Sequence, residues 1–235
     1  MSVEAFALSF FDQDRDLYGT ARSGGTLLFH GRQPAAHADG PEVTEDGEGW
    51  RAELANRLSL SLEPVTAEAD LDGVAARICR VAGEVDGIKV DCLGTFSITS
   101  VAPRWEELQA VRSISALVDE GTGLLALARR PRDAPGHGDE QVRAGLFIDG
   151  ELHEVEEARI STVYDGGGRQ RSAGLELWLP EEEFPRRGSG QVIAGSTFEL
   201  EAIQVHAAVF RWRLDGREGV GAYELMVRVV PPVAA

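Results

Sequence analysis

The sequence is poor in the residues that staple, coordinate or span. In 235 residues there are 2 cysteines, 2 methionines and 5 histidines, and Lys89 is the only lysine. A chain of this length buries roughly 70% of its unfolded surface, so it needs neither a disulfide nor a metal to fold. No apolar run approaches the ~20 residues of a membrane-spanning helix. Residues 1–14 have neither a basic start nor a cleavable apolar core, so a cytoplasmic protein with no membrane span is expected. Positive charge is scarce as well: 23 Lys and Arg against 39 Asp and Glu leave −16. Such a surface repels phosphate backbones, which disfavours nucleic acids and anionic membranes as partners. The chain has no GxSxG elbow, no phosphate-cradling glycine loop and no dinucleotide fingerprint. His30, His37, His137, His153 and His206 are scattered without ligand spacing. Neither a metal site nor a cofactor is expected.

What is there is alternation. Phe6, Leu8 and Phe10 share a face, and Leu58, Leu60 and Leu62 share another. Turn signals recur about every eight to ten residues, the rhythm of antiparallel β-structure. Cys79 and Cys92 flank Asp86-Gly87, a pair suited to a two-residue turn in which both central residues take positive φ. That register sets Val85 opposite Ile88, Val81 opposite Cys92 and Cys79 opposite Gly94. The thiols are then diagonal neighbours, and they read as small buried hydrophobes rather than a redox pair. Asp149-Gly150, Asp165-Gly166 and Asp215-Gly216 predict three more hairpins. Residues 103–111 (PRWEELQAV) carry the one helical pattern, with Trp105 and Leu108 on one face. Residues 130–140 form a loop by composition, and a boundary there predicts halves at 1–130 and 141–235. Phe11-Asp12 and Tyr164-Asp165, each ending a strand, are a faint echo between the halves.

The block from Cys79-Arg80-Val81-Ala82-Gly83 through Val90-Asp91-Cys92-Leu93-Gly94 to Pro103-Arg104-Trp105 resembles the central part of hydroxyneurosporene synthase-like (carotenoid hydratase-like) proteins. Phe10-Phe11-Asp12-Gln13-Asp14 and Gly219-Val220-Gly221-Ala222-Tyr223-Glu224-Leu225 are similar to that family too. The resemblance implies an all-β protein of two lipocalin-like antiparallel barrel or sandwich halves, here with one short helix, that binds or acts on apolar molecules such as isoprenoids. One departure stands out. After Gly94 the family has a polar run thought to supply its acid, whereas this chain reads Thr95-Phe96-Ser97-Ile98-Thr99-Ser100. Hydroxyls alone cannot protonate an unactivated alkene.

The candidate functional residues lie mostly in the second half. Glu176 and Glu224 each sit inside an apolar strand, where burial would favour a protonated carboxyl. Their plain alternative is an ion pair or a solvated position. His206, Ala208, Phe210 and Trp212 share a face, and Tyr223 and Leu225 share another. Glu176, Glu224, His206 and Tyr223 are the candidate acid–base set. Trp105, Trp178, Phe210 and Trp212 are the candidate ligand-binding aromatics; singly, each reads as ordinary core. Three functions follow. The leading one is a protein enclosing an apolar small molecule of isoprenoid or polyketide type. The alternatives are an acid–base hydratase, isomerase or cyclase, and a ligand-free structural or interaction protein.

Overall fold

The computed structural model describes residues 3, 5–134, 139–180, 182–200 and 202–229. His137 lies outside them. Among the described residues there are nineteen strands and no α-helix. The first sheet contains β1 (Phe6–Asp12), β2 (Leu17–Arg22), β3 (Gly25–His30), β4 (Gln33–His37), β5 (Glu42–Asp46), β6 (Gly49–Leu54), β7 (Leu58–Pro64), β8 (Ala69–Asp70), β9 (Val74–Val85) and β10 (Ile88–Thr99). The second contains β11 (Leu108–Leu117), β12 (Gly123–Pro131), β13 (Gln141–Ile148), β14 (Glu151–Glu154), β15 (Glu157–Tyr164), β16 (Gln170–Trp178), β17 (Arg186–Leu200), β18 (Ile203–Leu214) and β19 (Arg217–Arg228).

The two sheets share one design. The first runs β4-β3-β2-β1-β10-β9-β7-β6-β5, with β8 attached to β9, and the second runs β14-β13-β12-β11-β19-β18-β17-β16-β15. In each, the first and last strands of the half pair with one another near the middle. The two edge strands are neighbours in sequence, joined by residues 38–41 in the first half and 155–156 in the second. Links this short reach at most about 20 Å, so each sheet must curl until its edges approach. The result is two lipocalin-like half-barrels, as expected.

Several expectations change. The chain crosses between sheets after Thr99 and before Leu108, so β11 and β12 belong to the second half and no boundary falls at residues 130–140. The expected helix over 103–111 is absent. Residues 105–107 form a turn, and Leu108–Leu117 is a strand bonded on both sides, to β12 and β19. Two full ladders outweigh a helical pattern of two turns. The internal repeat is real but differently aligned: β1 corresponds to β11, not to β15 as the aromatic–Asp echo suggests. Residues 155–156 separate β14 from β15, where the chain passes from one edge of the sheet to the other.

Turn chemistry fares better. Asp86, Asp149 and Asp215 have φ of 48, 51 and 48°, and their following glycines 79, 85 and 83°, the geometry of tight hairpins. Val85 faces Ile88, Val81 faces Cys92 and Cys79 faces Gly94, as the two-residue turn requires. Both thiols are free. Asp165-Gly166 opens a longer turn instead, in which the Asp165 carboxylate accepts from the N–H groups of Gly167 and Arg169.

Three apolar clusters hold the molecule together. One fills the first half-barrel, with Phe6, Phe10 and Phe96 among its members, and another fills the second around Phe210 and Trp212. The third, including Phe11, Tyr18, Phe29, Leu125 and Val209, lies where the outer faces of the two sheets meet.

Candidate functional site: the seam between the half-barrels

Alternation decides which side chains reach the seam. Because Leu8 and Phe10 point into the first half-barrel, Ala7, Ser9 and Phe11 of β1 point out of it. Pairing with β2 and β10 then lays out two cross-strand rows, Thr20–Ser9–Thr95 and Arg22–Ala7–Ser97. On the second sheet Tyr223 points inward, which turns Glu224 outward, directly beside Ser113 of β11 and Ala207 of β18. A hydroxyl-rich patch thus meets a carboxylate across the seam.

The contact is specific. Thr20 Oγ1 donates to Glu224 Oε1 at 2.6 Å, and the Arg22 guanidinium donates to Oε2. The Glu224 side chain is 6% exposed and that of Arg22 21%, so the pair is largely out of water. A carboxylate buried this deeply requires such partners, since an unpaired one would cost several kcal/mol, about 3–5. The Ser9 and Thr95 hydroxyls bond at 2.6 Å, and Ser115 Oγ accepts from the Ala222 N–H at 2.9 Å. These residues, with Leu71, Val74, Leu125 and Leu127 as apolar walls, enclose a cavity of about 60 Å³. A second cleft, of about 450 Å³, begins at the neighbouring residues Gly73 and Arg129 and is lined by Val101, Pro103, Leu108 and Pro131 of the inter-sheet linker and its flanks. There Arg129 of the second half pairs with Asp72 of the first.

A glycine on the last strand of each half shapes the seam. A Cβ on Gly94 of β10 would collide with the Ser9 carbonyl of β1, and one on Gly221 of β19 with the Ser115 carbonyl of β11. The two positions are equivalent in the repeat, and each sets a seam serine against the last strand.

The candidate acid–base residues do not form one site. Glu224 is at the seam. Tyr223, its neighbour in sequence, points the other way, into the second half-barrel, where its hydroxyl meets Thr162 Oγ1 at 2.6 Å and Arg112 at 3.1 Å. Arg112 is also ion-paired with Glu140, and both are nearly fully buried. Burial chiefly, against the nearby Arg112 charge, pushes the Tyr223 hydroxyl up to about 12. His206 lies farther along that inner face, its Nδ1 2.7 Å from Thr197 Oγ1; burial, and then the Arg169 charge, lower its pKa. Glu176 is on the outer face, 3.6 Å from Arg187, in an open trough of about 590 Å³. Its neighbour Trp178 carries the Arg159 guanidinium 4.7 Å from its ring centre.

The candidate ligand-binding aromatics are likewise dispersed. Phe210 and Trp212 are fully buried and stack 5.2 Å apart, so they fill the second half-barrel rather than line a hollow. Trp178, like Glu176, faces outward because Leu175 and Leu177 of the same strand face inward. Trp105 alone of the four packs against the seam cluster. The residues that complete the seam, Thr20, Arg22, Ser9, Thr95, Ser113 and Ser115, go unmarked in the sequence. Their signal is alternation on the strands around Phe10-Phe11-Asp12, Val90–Gly94 and Gly219–Leu225, but alternation does not say which face meets the other half.

Among the described residues no group of three His, Cys, Asp or Glu side chains could hold a metal ion. No helix among them is long and apolar enough to cross a membrane.

No family model and no curated protein matches the sequence. Solved structures do match in shape. A protein of Nitrosomonas europaea assigned as an AttH superposes with a TM-score of 0.62 at 11% identity, over 97% of this chain and 93% of its own. CghA in complex with Sch210972 gives 0.61 at 11%, over 97% and 88%. Kievitone hydratase from Nectria haematococca gives 0.57 at 8%, over 97% and 89%. At such identities the likeness establishes fold, and it extends over nearly the whole of each chain. The protein therefore has the fold of these structures, two lipocalin-like halves in tandem, which is the fold that its resemblance to the hydroxyneurosporene synthase-like proteins implies.

Proposed function

We propose that this protein binds an apolar small molecule, of isoprenoid or polyketide type, at the seam between its half-barrels, with Glu224 as the polar anchor. One observation carries the reading: a buried carboxylate on one half is held at both oxygens by Thr20 and Arg22 of the other half, beside a cavity with apolar walls. Small-molecule sites have this makeup, mostly apolar with a few placed polar groups, and they favour junctions between structural units. The 60 Å³ cavity admits only the polar end of such a ligand, since sites for whole drug-sized molecules run to about 300–1,000 Å³. The body follows the seam toward the 450 Å³ cleft beside the linker. The CghA complex with Sch210972, a structure of the same fold, supports a small-molecule role.

Glu224 suits an anchor or a base better than an acid. Both of its oxygens already accept hydrogen bonds, which leaves no O–H directed at an alkene. The second reading is an acid–base enzyme, a hydratase, isomerase or cyclase that uses Glu224 as its base; the likeness to kievitone hydratase favours it. Native mass spectrometry of freshly purified protein separates these readings from a ligand-free scaffold. A co-purifying apolar mass, lost in Glu224→Leu with the fold retained, is expected. No bound mass, and no thermal shift with a panel of apolar compounds, would remove both readings, because binding to the native state must raise stability.

A further inference from the structure

Resting on the seam as the ligand seat, we infer that its ligand presents a hydrogen-bond-accepting oxygen to the cavity, as a ketone, enone or enolate does, and is not a plain hydrocarbon or a cation. The hydrogen bonds around the cavity set that polarity. Both Glu224 oxygens are engaged by the protein itself. Ser9 and Thr95 share one bond, so one of their two hydroxyl hydrogens is left over. Ser115 Oγ accepts from the Ala222 N–H and keeps its own hydrogen to give. Ser113, beside Glu224 in the ladder, has no side-chain partner among the described residues. Arg22 Nε is buried and equally without a partner among them.

Four donors are therefore left on residues that line one small cavity, and its one carboxylate is already satisfied. A hydroxyl can reverse and accept, but a guanidinium N–H can only donate, so Arg22 fixes the sign. A buried donor without a partner costs free energy, and a ligand oxygen that supplies the missing lone pairs recovers it. A carbonyl has two lone pairs and can take Arg22 Nε and Ser113 together. A hydrocarbon would leave the buried Arg22 Nε without a partner, and a cation could accept from none of these donors. Of the two ligand types considered above, the oxygenated polyketide type fits and the unfunctionalised isoprenoid does not.

The test compares cyclopentanone with methylenecyclopentane, the same ring with the carbonyl oxygen replaced by CH₂. Each is titrated into the full chain and followed by amide NMR. The ketone should perturb the amides of Thr20, Thr95, Ser113 and Glu224 and bind about tenfold more tightly than the alkene, the worth of two hydrogen bonds. Ser113→Ala removes no hydrogen bond of the protein itself and should cut that preference about threefold with the fold intact. Arg22→Met combined with Glu224→Leu, which removes the ion pair as a unit, should also cut the preference about threefold, and adding Ser113→Ala should abolish it. Equal binding of ketone and alkene at the seam overturns the acceptor-oxygen inference while leaving the seam as a ligand seat. Perturbation of the seam by neither compound overturns both.

Discussion

The two half-barrels share one strand order but fill it differently. The interior of the first is a continuous apolar packing in which Trp50 stacks on Phe96 at 4.0 Å and Phe6 on Phe96 at 6.2 Å. The interior of the second holds aromatics of the same kind, Phe210 and Trp212, together with the Arg112–Glu140 ion pair, the Tyr223 hydroxyl and the Gln170 amide. The same frame thus tolerates a greasy core or a mixed one, provided every buried charge has its partner. The difference also locates function. A polar group inside a half-barrel is committed to its own sheet, whereas Glu224 is committed to the opposite half and can respond to whatever enters between them.

The largest effect should come from breaking the second interior. Arg112→Met strands Glu140 in a buried site and should cost about 3–5 kcal/mol, measured by denaturant unfolding. Removing both charges, with Arg112→Met and Glu140→Leu together, should recover most of that loss. Continued instability of the double variant would mean that packing, not charge, holds the cluster. In the first interior Phe96→Ala should cost a similar amount, about 3–5 kcal/mol, with no partner change able to restore it.

The equivalence of the halves is tested by Gly94→Ala and Gly221→Ala. Each drives a methyl group into the carbonyl of a first-strand serine. Each should destabilise by about 1–3 kcal/mol, the usual cost of overpacking. A silent substitution at one site and a damaging one at the other would show that the two repeats are not built alike.

High pH weakens both halves. Burial pushes Cys79, Cys92 and Tyr18 of the first half, and Tyr223 of the second, up to about 12. A folded-state pKa above the unfolded value means full stabilisation below the unfolded pKa, lost as pH rises through the folded one. The thiol contribution should therefore fade from about pH 9 and the Tyr223 contribution from about pH 10, both toward 12. Tyr223→Phe should reduce the slope of the stability profile between pH 10 and 12 to the part that Tyr18 carries, while leaving the earlier thiol-dependent slope in place. The smallest effect belongs to Ser113→Ala, which should change the stability of the free protein by less than about 0.5 kcal/mol, because no protein hydrogen bond is lost.

Much of the fold is legible in the sequence because it is local. The Asp86-Gly87 turn fixes a register that runs from Ile88–Val85 out to Thr99–Val74, and simple alternation separates Leu8 and Phe10 from Ala7 and Ser9. The half boundary is not legible, since β12 and β13, the strands on either side of the Pro- and Gly-rich stretch, pair with each other within the second sheet. The true crossing, residues 100–107, runs into a strand whose first residues carry a helical pattern. The site is the least legible part. Glu224 can be singled out as a carboxylate inside an apolar strand, but its partner Arg22 is 202 positions away. Likewise, the hydroxyls after Gly94, which stand where the resemblance places an acid, line the same cavity as the Glu224 carboxylate of the other half. Tyr223 and Glu224 also show that adjacent strand residues serve opposite faces.

Ligands should enter at the seam rather than the interior of the second half-barrel. Amide chemical-shift mapping of the full chain with its co-purified or best-binding apolar compound tests this directly. The perturbations should cluster on Ser9, Thr20, Thr95, Ser113 and Glu224 and disappear in Glu224→Leu. Perturbations centred on Phe210, Trp212 and Tyr223, with the seam unchanged, would contradict it.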